Sequence, residues 1–251
     1  MITLASDFGS PYPAAMRGVI ARRSDARLVD VAHDFPRQDV RAAAFWLRFV
    51  LPEFPPAIHL AVVDPGVGTG RDALVVRAGD HALVGPDNGL LLPAARRLAG
   101  ETPVEAFVAD PGDPASSTFH GRDVFAPLAA DVHEAGVADA AALDRLRPAG
   151  DVTDLRLPEP TVTVDEARGE VLAVDGFGNA ITNLPGDAVA GRDRVRVNGT
   201  PAPVVDTFDA VAPGDRLVTV GSHGNVECDV NRGRGDDAFD LSTGDPVVLE
   251  F

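Results

Sequence analysis

Over the first 150 residues, short apolar runs alternate with stretches in which apolar residues recur at helical spacing. The helical spacing predicts helices around residues 16–20, 40–47, 90–98 and 124–132. The apolar runs predict strands at residues 2–5, 28–32, 58–63, 74–76, 82–84 and 104–108. Alternating strands and helices are typical of an α/β fold, so we predict an α/β N-terminal domain with a mainly parallel sheet.

Beyond about residue 150 the pattern changes to short β-rich runs separated by turn residues, with no long helical pattern between them. These runs occupy residues 161–164, 170–174, 194–197, 203–205, 216–220, 226–230 and 246–251. They are typical of a small barrel or sandwich. Residues 155–160, which include two prolines, form the predicted linker. We therefore predict two domains, with residues 1–152 in the α/β domain and residues 160–251 in a smaller all-β, barrel-like domain.

Composition places the chain among globular proteins, since 45% of it is apolar and 24% is charged. No apolar run approaches the roughly 18 residues that a membrane span needs. The N-terminal sequence also lacks the basic and long apolar regions of a secretory signal. These features predict a soluble, cytoplasmic protein with no membrane partner.

The charge is strongly acidic and unusual in its makeup. The net charge is −16, Asp supplies 29 of the 38 carboxylates, and all 22 basic residues are Arg. Such a charge argues against a nucleic-acid partner, which needs a basic surface. The absence of Lys excludes a Walker A loop and Schiff-base chemistry. The single Cys228 excludes an internal disulfide. We interpret the acidic, Lys-free composition as halophilic adaptation; drift in base composition is the alternative.

Four polar, Gly-rich turns follow predicted strands of the first domain, at residues 6–9, 64–71, 86–89 and 117–123. Ligands of open α/β sheets bind outside the carboxyl ends of the strands, so these turns could meet in one site. Each turn also has a simpler interpretation. Asp7 could cap the first helix, Asp64 and Arg71 could form a surface ion pair, and His120 could be structural. A metal site made by His120, Asp64 and Asp123 is a further alternative.

Two polar stretches of the second domain are comparable, at residues 175–183 and 222–233. They combine amides, a carboxylate and the aromatic ring of Phe177. That mixture suits a neutral base and a zwitterion better than it suits phosphates. The alternative is a set of ordinary turns between barrel strands.

These motifs, in this order, resemble the S-adenosylmethionine hydroxide adenosyltransferase family, the hydrolytic relatives of fluorinase and chlorinase. The resemblance spans nearly the whole chain and rests most on Val-Asp-Pro-Gly-Val-Gly-Thr at residues 63–69 and Pro-Asp-Asn-Gly-Leu-Leu at residues 86–91. It implies an α/β domain followed by a β-barrel, and a homotrimer with its sites at subunit interfaces. The implied reaction converts S-adenosylmethionine and water to adenosine and methionine, with no metal or organic cofactor.

The resemblance also assigns site residues. The catalytic triad falls on Asp64, Arg71 and His120, and either Asp64 or His120 could be the base that takes a proton from the attacking water. The residues matching the substrate-binding positions are Asp7 at the ribose hydroxyls, Phe119 beside the nucleophile pocket, Phe177 and Asn179 at the adenine, Asp175 and Ser222 at the methionine, and Asn231.

Three other functions remain open from the sequence. The chain could bind S-adenosylmethionine or a nucleoside without turnover, transfer chloride in place of hydroxide, or use a metal for hydrolysis. The first loop, around residues 8–13, is about two residues shorter than the family's usual loop and lacks its extra Asp.

Overall fold

The computed structural model describes residues 1–251, which fall into two compact units, Met1–Arg156 and Leu157–Phe251. Each unit is built on its own sheet. None of the helices has the length and apolar character required to cross a membrane.

The first unit is a seven-stranded sheet in the order β2-β1-β3-β5-β4-β6-β7. Its strands are β1 (Ile2–Ser6), β2 (Leu28–Ala32), β3 (Ile58–Val62), β4 (Ala73–Ala78), β5 (His81–Pro86), β6 (Glu105–Ala109) and β7 (Leu146–Pro148). The helices are α1 (Tyr12–Ala21), α2 (Val40–Val50), α3 (Leu92–Ala99) and α4 (Ala126–Ala135), and a π-helical turn, Gly121–Phe125, leads into α4. The helices predicted from apolar spacing correspond to α1 to α4.

This sheet is mixed, so the prediction of a mainly parallel sheet is not confirmed. The pairs β1–β2, β1–β3 and β3–β5 are parallel, whereas β4–β5, β4–β6 and β6–β7 are antiparallel. Only Gly79 and Asp80 separate β4 from β5, and Gly79 has a φ of 59°. A parallel pair needs a crossover of about a dozen residues, so two residues permit only a hairpin.

Helices cover both faces of the sheet. Ile2, Leu4 and Leu60 face a core that includes Met16 of α1 and Leu128 of α4. Their neighbours Ala5 and Ala61 face a second core with Leu47 of α2 and Ala94 of α3. Both faces of the central strands are therefore buried, which explains their continuous apolar sequences. The strand ends are left as the part of the sheet open to ligands.

The second unit is an antiparallel sheet in the order β12-β11-β15-β9-β10-β14-β13, with β8 paired to β9. Its strands are β8 (Thr161–Val162), β9 (Glu166–Val174), β10 (Ala180–Pro185), β11 (Arg194–Val197), β12 (Thr200–Pro203), β13 (Arg216–Val220), β14 (Asn225–Val230) and β15 (Pro246–Glu250). A bridge between Val204 and Val218 brings its two edges together, so the sheet is a nearly closed barrel. The one α-helix here is the short α5 (Gly235–Phe239). Strand β10 is absent from the predicted set, because its residues belong to a stretch that the sequence pattern assigns to a polar turn.

A pair of histidines, one of them buried, links three neighbouring strands of the first sheet. His59 of β3 is buried, its Nδ1 lies 2.8 Å from Thr3 Oγ1 of β1, and its Nε2 lies 2.9 Å from His81 Nδ1 of β5. Burial, followed by the proximity of His81, lowers the pKa of His59 to about 3. His59 is therefore neutral in the folded protein at every pH near neutrality.

This buried histidine should weaken the fold in acid. Between pH 6.5 and about 3 the unfolded chain protonates His59 and the folded protein does not, so the free energy of unfolding falls as the pH falls. We expect His59→Gln to remove this loss, which amounts to at most roughly 5 kcal/mol. Urea unfolding of both proteins at a series of pH values measures it, and parallel stability curves would contradict the prediction.

Candidate active site

A cavity of about 590 Å³ opens at the carboxyl ends of β1 and β3 in the first unit. Three of the four polar turns contribute to its wall, and the turn at residues 86–89 does not. The lining residues are Asp7, Phe8, Tyr12, Arg37, Gln38, Val62, Asp64, Val67, Ser116, Thr118, Phe119, His120, Gly121 and Arg122. The position agrees with the rule that ligands of α/β sheets bind beyond the carboxyl ends of the strands.

Arg71 joins two wall residues, Asp64 and His120, through one guanidinium group. Its Nε donates to both oxygens of Asp64, at 3.0 and 3.1 Å, and its Nη2 makes a further short contact with Asp64 Oδ2. The same Nη2 donates to His120 Nδ1 at 3.0 Å. The Asp64 side chain is 4% exposed and that of Arg71 is 12% exposed, so this is a buried ion pair and not the surface pair considered from the sequence.

The loop that carries Asp64 and Arg71 is fixed by hydrogen bonds and by a close approach. The backbone N–H of Thr69 donates to Gly66 O at 3.1 Å, and the Thr69 hydroxyl donates to the same oxygen at 2.7 Å. Gly68 has a φ of 78°, and a Cβ there would lie 2.6 Å from Ser117 O. Only glycine fits this position, so its role is to pack the loop against the segment that leads to His120.

The π-helical turn positions the other residues that Arg71 contacts. His120 immediately precedes the turn, and Phe125 is its last residue. The Arg71 guanidinium lies 4.9 Å from the centre of the buried Phe125 ring, a cation–π contact. One turn of chain therefore supplies both the imidazole that Arg71 binds and the ring on which Arg71 stacks.

The contact with Arg71 determines where His120 carries its proton. An arginine has only donors, so the N–H directed at Nδ1 occupies the lone pair of that nitrogen. The proton of the neutral imidazole is then on Nε2. Burial, followed by the positive charge of Arg71, lowers the pKa of His120, although Asp64 and Asp123 act in the opposite direction. His120 is thus a neutral ring whose Nε2–H is a donor.

Asp7 is held by a residue distant in sequence. Its Oδ2 accepts the backbone N–H of Gln38 at 2.7 Å, and Gln38 has a φ of 61°, unusual for a residue with a side chain. Helix α1 begins after Pro11 without a side-chain cap, so Asp7 does not cap it. The carboxylate of Asp7 instead belongs to the wall of the cavity.

Three aromatic rings pack edge to face at the cavity. The ring centres of Phe8 and Phe119 are 5.8 Å apart, and those of Tyr12 and Phe119 are 5.4 Å apart. A Cβ on Gly121 would lie 2.9 Å from atoms of Phe8 and Met16, so this glycine leaves the space that the rings occupy. Sequence analysis identified Phe119 but missed Tyr12, the only tyrosine of the chain.

The turn at residues 86–89 supports the site from outside the cavity. The Asn88 amide donates to Val63 O at 2.8 Å, and its Oδ1 accepts the N–H of Leu90 at 3.1 Å. Asp87 Oδ1 accepts the N–H of Thr153 at 2.8 Å. These side chains satisfy backbone groups, one of them in the residue directly before Asp64, so the motif is structural.

The donor arrangement does not favour the metal site considered from the sequence. Both oxygens of Asp123 accept from Arg122, at 2.6 and 2.8 Å, and this hydrogen bonding holds the pKa of Asp123 below its usual range. Both oxygens of Asp64 accept from Arg71. Two carboxylates already bound to arginine are poor candidates for metal ligands.

In the second unit, three predicted residues form one closed turn after β9. Asp175 Oδ1 accepts the N–H groups of Phe177 and Asn179, each at 2.9 Å, and its Oδ2 accepts the Asn179 amide at 3.1 Å. Phe177, on this turn, is 81% exposed. An exposed phenylalanine on a rigid turn is suited to packing against a ligand or another chain.

Ser222 and Asn231 lie at opposite ends of β14. The turn at residues 175–179 follows the end of β9 that is near Asn231, because Ala180 pairs with Cys228 and with Val174. Ser222 is exposed. Asn231 is buried and its amide donates to Val211 O at 2.8 Å, so this side chain is engaged with the backbone.

Similarity to known proteins agrees with this geometry. Family models described as the SAM hydroxide adenosyltransferase N-terminal domain and C-terminal domain match residues 2–142 and 169–248. A relative from Salinispora tropica, named (R)-S-adenosyl-L-methionine hydrolase, is 45% identical, with 97% of this chain and 95% of the relative covered. A Thermus thermophilus relative of the same name is 44% identical, with 97% of each chain covered.

Two solved structures share the fold. An uncharacterised conserved protein from Thermotoga maritima has a TM-score of 0.87 and 32% identity, with both chains covered completely. A conserved hypothetical protein from Thermus thermophilus has a TM-score of 0.77 and 38% identity, covering 99% of this chain and 98% of the other. The resemblance found in the sequence motifs is thus confirmed, and this chain belongs to the SAM hydroxide adenosyltransferase family.

Proposed function

We propose that this protein is a hydrolase that converts S-adenosyl-L-methionine and water to adenosine and L-methionine. The observation that carries the proposal is the Asp64–Arg71–His120 network in the cavity wall, in a chain of this family. The names of its relatives specify the (R) form, and we extend this to the substrate, with (R) as the configuration of the sulfonium centre.

The leaving group needs little help from the protein, whereas the nucleophile must be positioned and deprotonated. A sulfonium departs as a neutral thioether, so its departure needs no general acid. The attacking water must lie in line with the 5′ carbon on the side opposite sulfur, and it must lose a proton. Fixed polar groups in a cavity satisfy the first requirement, because orientation removes much of the entropy cost of attack.

We assign the proton acceptor to Asp64 and the water-orienting donor to His120. The Nδ1 lone pair of His120 is occupied by Arg71, and its Nε2 carries the proton, so the neutral ring can donate to the water oxygen but cannot accept. Asp64 accepts from Arg71 through both oxygens and still has lone pairs for one more donor. Arg71 places its positive charge where hydroxide character develops.

The tautomer assignment can be tested without turnover. Replacing Arg71 with Gln removes a positive charge from Nδ1 and leaves Asp64 and Asp123 nearby, so we expect the pKa of His120 to rise. An NMR titration of the imidazole measures it, and nitrogen shifts report which nitrogen carries the proton. Arg122→Gln, which alters a neighbouring arginine that pairs with Asp123, is the control. An unchanged His120 pKa in Arg71→Gln would contradict the assignment.

The reaction itself is tested with S-adenosylmethionine in heavy-oxygen water, each sulfonium epimer being supplied separately in molar potassium chloride. We expect adenosine that carries the heavy oxygen, together with unlabelled methionine. Asp64→Asn should lose roughly 10²–10⁴-fold in kcat, since its amide cannot take the proton. His120→Gln, which keeps a donor near Nε2, should retain more activity than His120→Ala.

Other products would reject the proposal. A 5′-chloro nucleoside would indicate halide transfer, and binding without product would indicate a binding module. Equal losses in His120→Gln and Asp64→Asn would contradict the separate roles of the two side chains.

The substrate contacts form a second part of the proposal. Asp7 binds the ribose hydroxyls, supported by its place in the cavity wall, and Phe119 borders the nucleophile. Phe177 and Asn179 contact the adenine, and Asp175 binds the methionine ammonium, supported by their common turn. For Ser222 and Asn231 the substrate-binding role stays a prediction.

We also propose a cytoplasmic, halophilic homotrimer, with its sites at subunit interfaces and without a cofactor, composed of domains at residues 1–152 and 160–251. The domain bounds are supported by the separation of the two units between Arg156 and Leu157. The net charge of −16 supports salt adaptation, because salt screens the repulsion among the carboxylates. The trimer is supported by the family resemblance.

Assembly and salt dependence are measured together. In molar potassium chloride we expect a sedimenting mass of three chains. On transfer to low salt we expect Tm to fall, because the unscreened carboxylates repel one another. Sedimentation equilibrium and calorimetry at both salt concentrations test this; a monomer mass or a constant Tm would reject the corresponding part of the proposal.

A further inference from the structure

Strand β14 carries a carboxyl group that the proposed mechanism does not use. Asp229 is fully buried, and neither of its oxygens accepts a hydrogen bond from an N–H or hydroxyl donor. On the same strand, Glu227 is also buried and accepts from His223 Nε2 at 2.8 Å. A buried carboxylate without a donor is costly, so Asp229 needs a different explanation from that of an ordinary structural residue.

The strand register places Asp229 directly behind the turn at residues 175–179. Ala180 pairs with Cys228 on β14 and with Val174 on β9. The next residues in these antiparallel rows are Asn179, Asp229 and Asp175, and directly opposed residues share a face of the sheet. The carboxylate of Asp175 is engaged by its own turn, so Asp229 is a second acid beneath it.

The start of α5 covers this position. A Cβ on Gly235 would lie 2.7 Å from Asp229 Cα, so the chain passes directly over Asp229. The N–H of Asp236 donates to Gly178 O at 2.9 Å, which fastens α5 to the turn. Asp236 Oδ1 is also buried without a donor, while its Oδ2 accepts from Arg234 at 2.6 Å.

The charged groups around Asp229 are mostly acidic. Glu227 is on its own strand, Asp175 is on the neighbouring turn and Asp236 is on α5. The guanidinium of Arg234 is already paired with Asp236 and Asp237, and the imidazole of His223 is already hydrogen-bonded to Glu227. Burial first, then Glu227 and Asp175, raises the pKa of Asp229 to about 8. At neutral pH Asp229 therefore holds a proton, and its O–H can donate a hydrogen bond to Glu227.

We propose that Asp229 is a positioning residue that keeps its proton while the turn at residues 175–179 is empty and releases it when a cationic group binds there. The proposal rests on the proposed function, in which the ammonium of S-adenosylmethionine binds Asp175. An arriving cation offsets the repulsion among Asp175, Glu227 and Asp229, so Asp229 can ionise and add a second negative charge behind the first. Cation binding and proton release are then reciprocal.

Proton release is measured by calorimetric titration of S-adenosylmethionine into Asp64→Asn protein, in which turnover is slowed, with and without Asp229→Asn. Buffers of different ionisation enthalpy report the number of protons. At pH 7.5 we expect release of roughly half a proton or more when Asp229 is present, and clearly less in the Asp229→Asn variant, whose amide does not titrate. The exposed Asp206, changed to Asn, is the matched control and should leave the proton count unchanged.

The pH profile of KM gives a second readout in the otherwise unchanged enzyme. Between pH 6.5 and 8.5 we expect the ratio of KM in Asp229→Asn to KM in the unchanged enzyme to rise by about three- to tenfold, a ratio in which the titration of the substrate's own ammonium cancels. A third readout is the Tm of each protein without ligand. Between about pH 4 and 8 only the unfolded chain ionises Asp229, so the unchanged protein loses stability with rising pH and Asp229→Asn does not. The Tm advantage of Asp229→Asn should therefore increase over this range and then level off. Asp229→Ala is the second variant if Asp229→Asn fails to fold.

The outcomes separate this proposal from the proposed function. The role of Asp229 alone would be overturned if the enzyme turns over S-adenosylmethionine, but the number of released protons and the pH dependence of KM are the same with Asp229 and with Asp229→Asn. A KM that rises with pH only when Asp229 is present would also overturn it, because ionisation would then disturb the turn. Neither binding nor turnover of S-adenosylmethionine in any folded protein would overturn both proposals.

Discussion

The guanidinium of Arg71 is the interaction on which the candidate active site depends. It donates to both oxygens of Asp64 and to His120 Nδ1, and its face lies on Phe125. Loss of the arginine would leave a buried carboxylate without its counter-charge and would free the imidazole to change tautomer. The network thereby keeps one group as an acceptor and the other as a donor, the pair of properties that attack by water requires.

The backbone around the site has the conformation and the close contacts that this network needs. Gly68 permits the loop after β3 to approach Ser117 O, and Gly121 leaves room for Phe8 and Met16 beside the π-helical turn. Asn88 satisfies Val63 O, where β3 has ended and the loop begins. Each of these residues fixes the chain beside the network of Asp64, Arg71 and His120.

The sequence predicted the positions of the helices and strands better than it predicted whether paired strands run parallel or antiparallel. Apolar spacing locates the helices and most strands, because burial imposes those periods. The two-residue connection between β4 and β5 permits only a hairpin, so its length is a signal in the sequence for the antiparallel half of the sheet. By contrast, the contact between Asp7 and Gln38 joins loops 31 residues apart, and the burial of Asp229 depends on α5. Such tertiary contacts leave no local pattern in the sequence.

Asp64 and Asp229 show how opposite environments give one residue type opposite roles. Both are almost completely removed from solvent, and both lie in or beside polar turns. Asp64 has an arginine beside it that supplies a counter-charge, so its carboxylate can be held in place as an acceptor. Asp229 lies near the acids Glu227 and Asp175, and the nearby Arg234 is already paired with Asp236, so under our proposal the charge of Asp229 requires an additional cation. A fixed charge suits catalysis, whereas a conditional charge suits recognition of a cationic ligand.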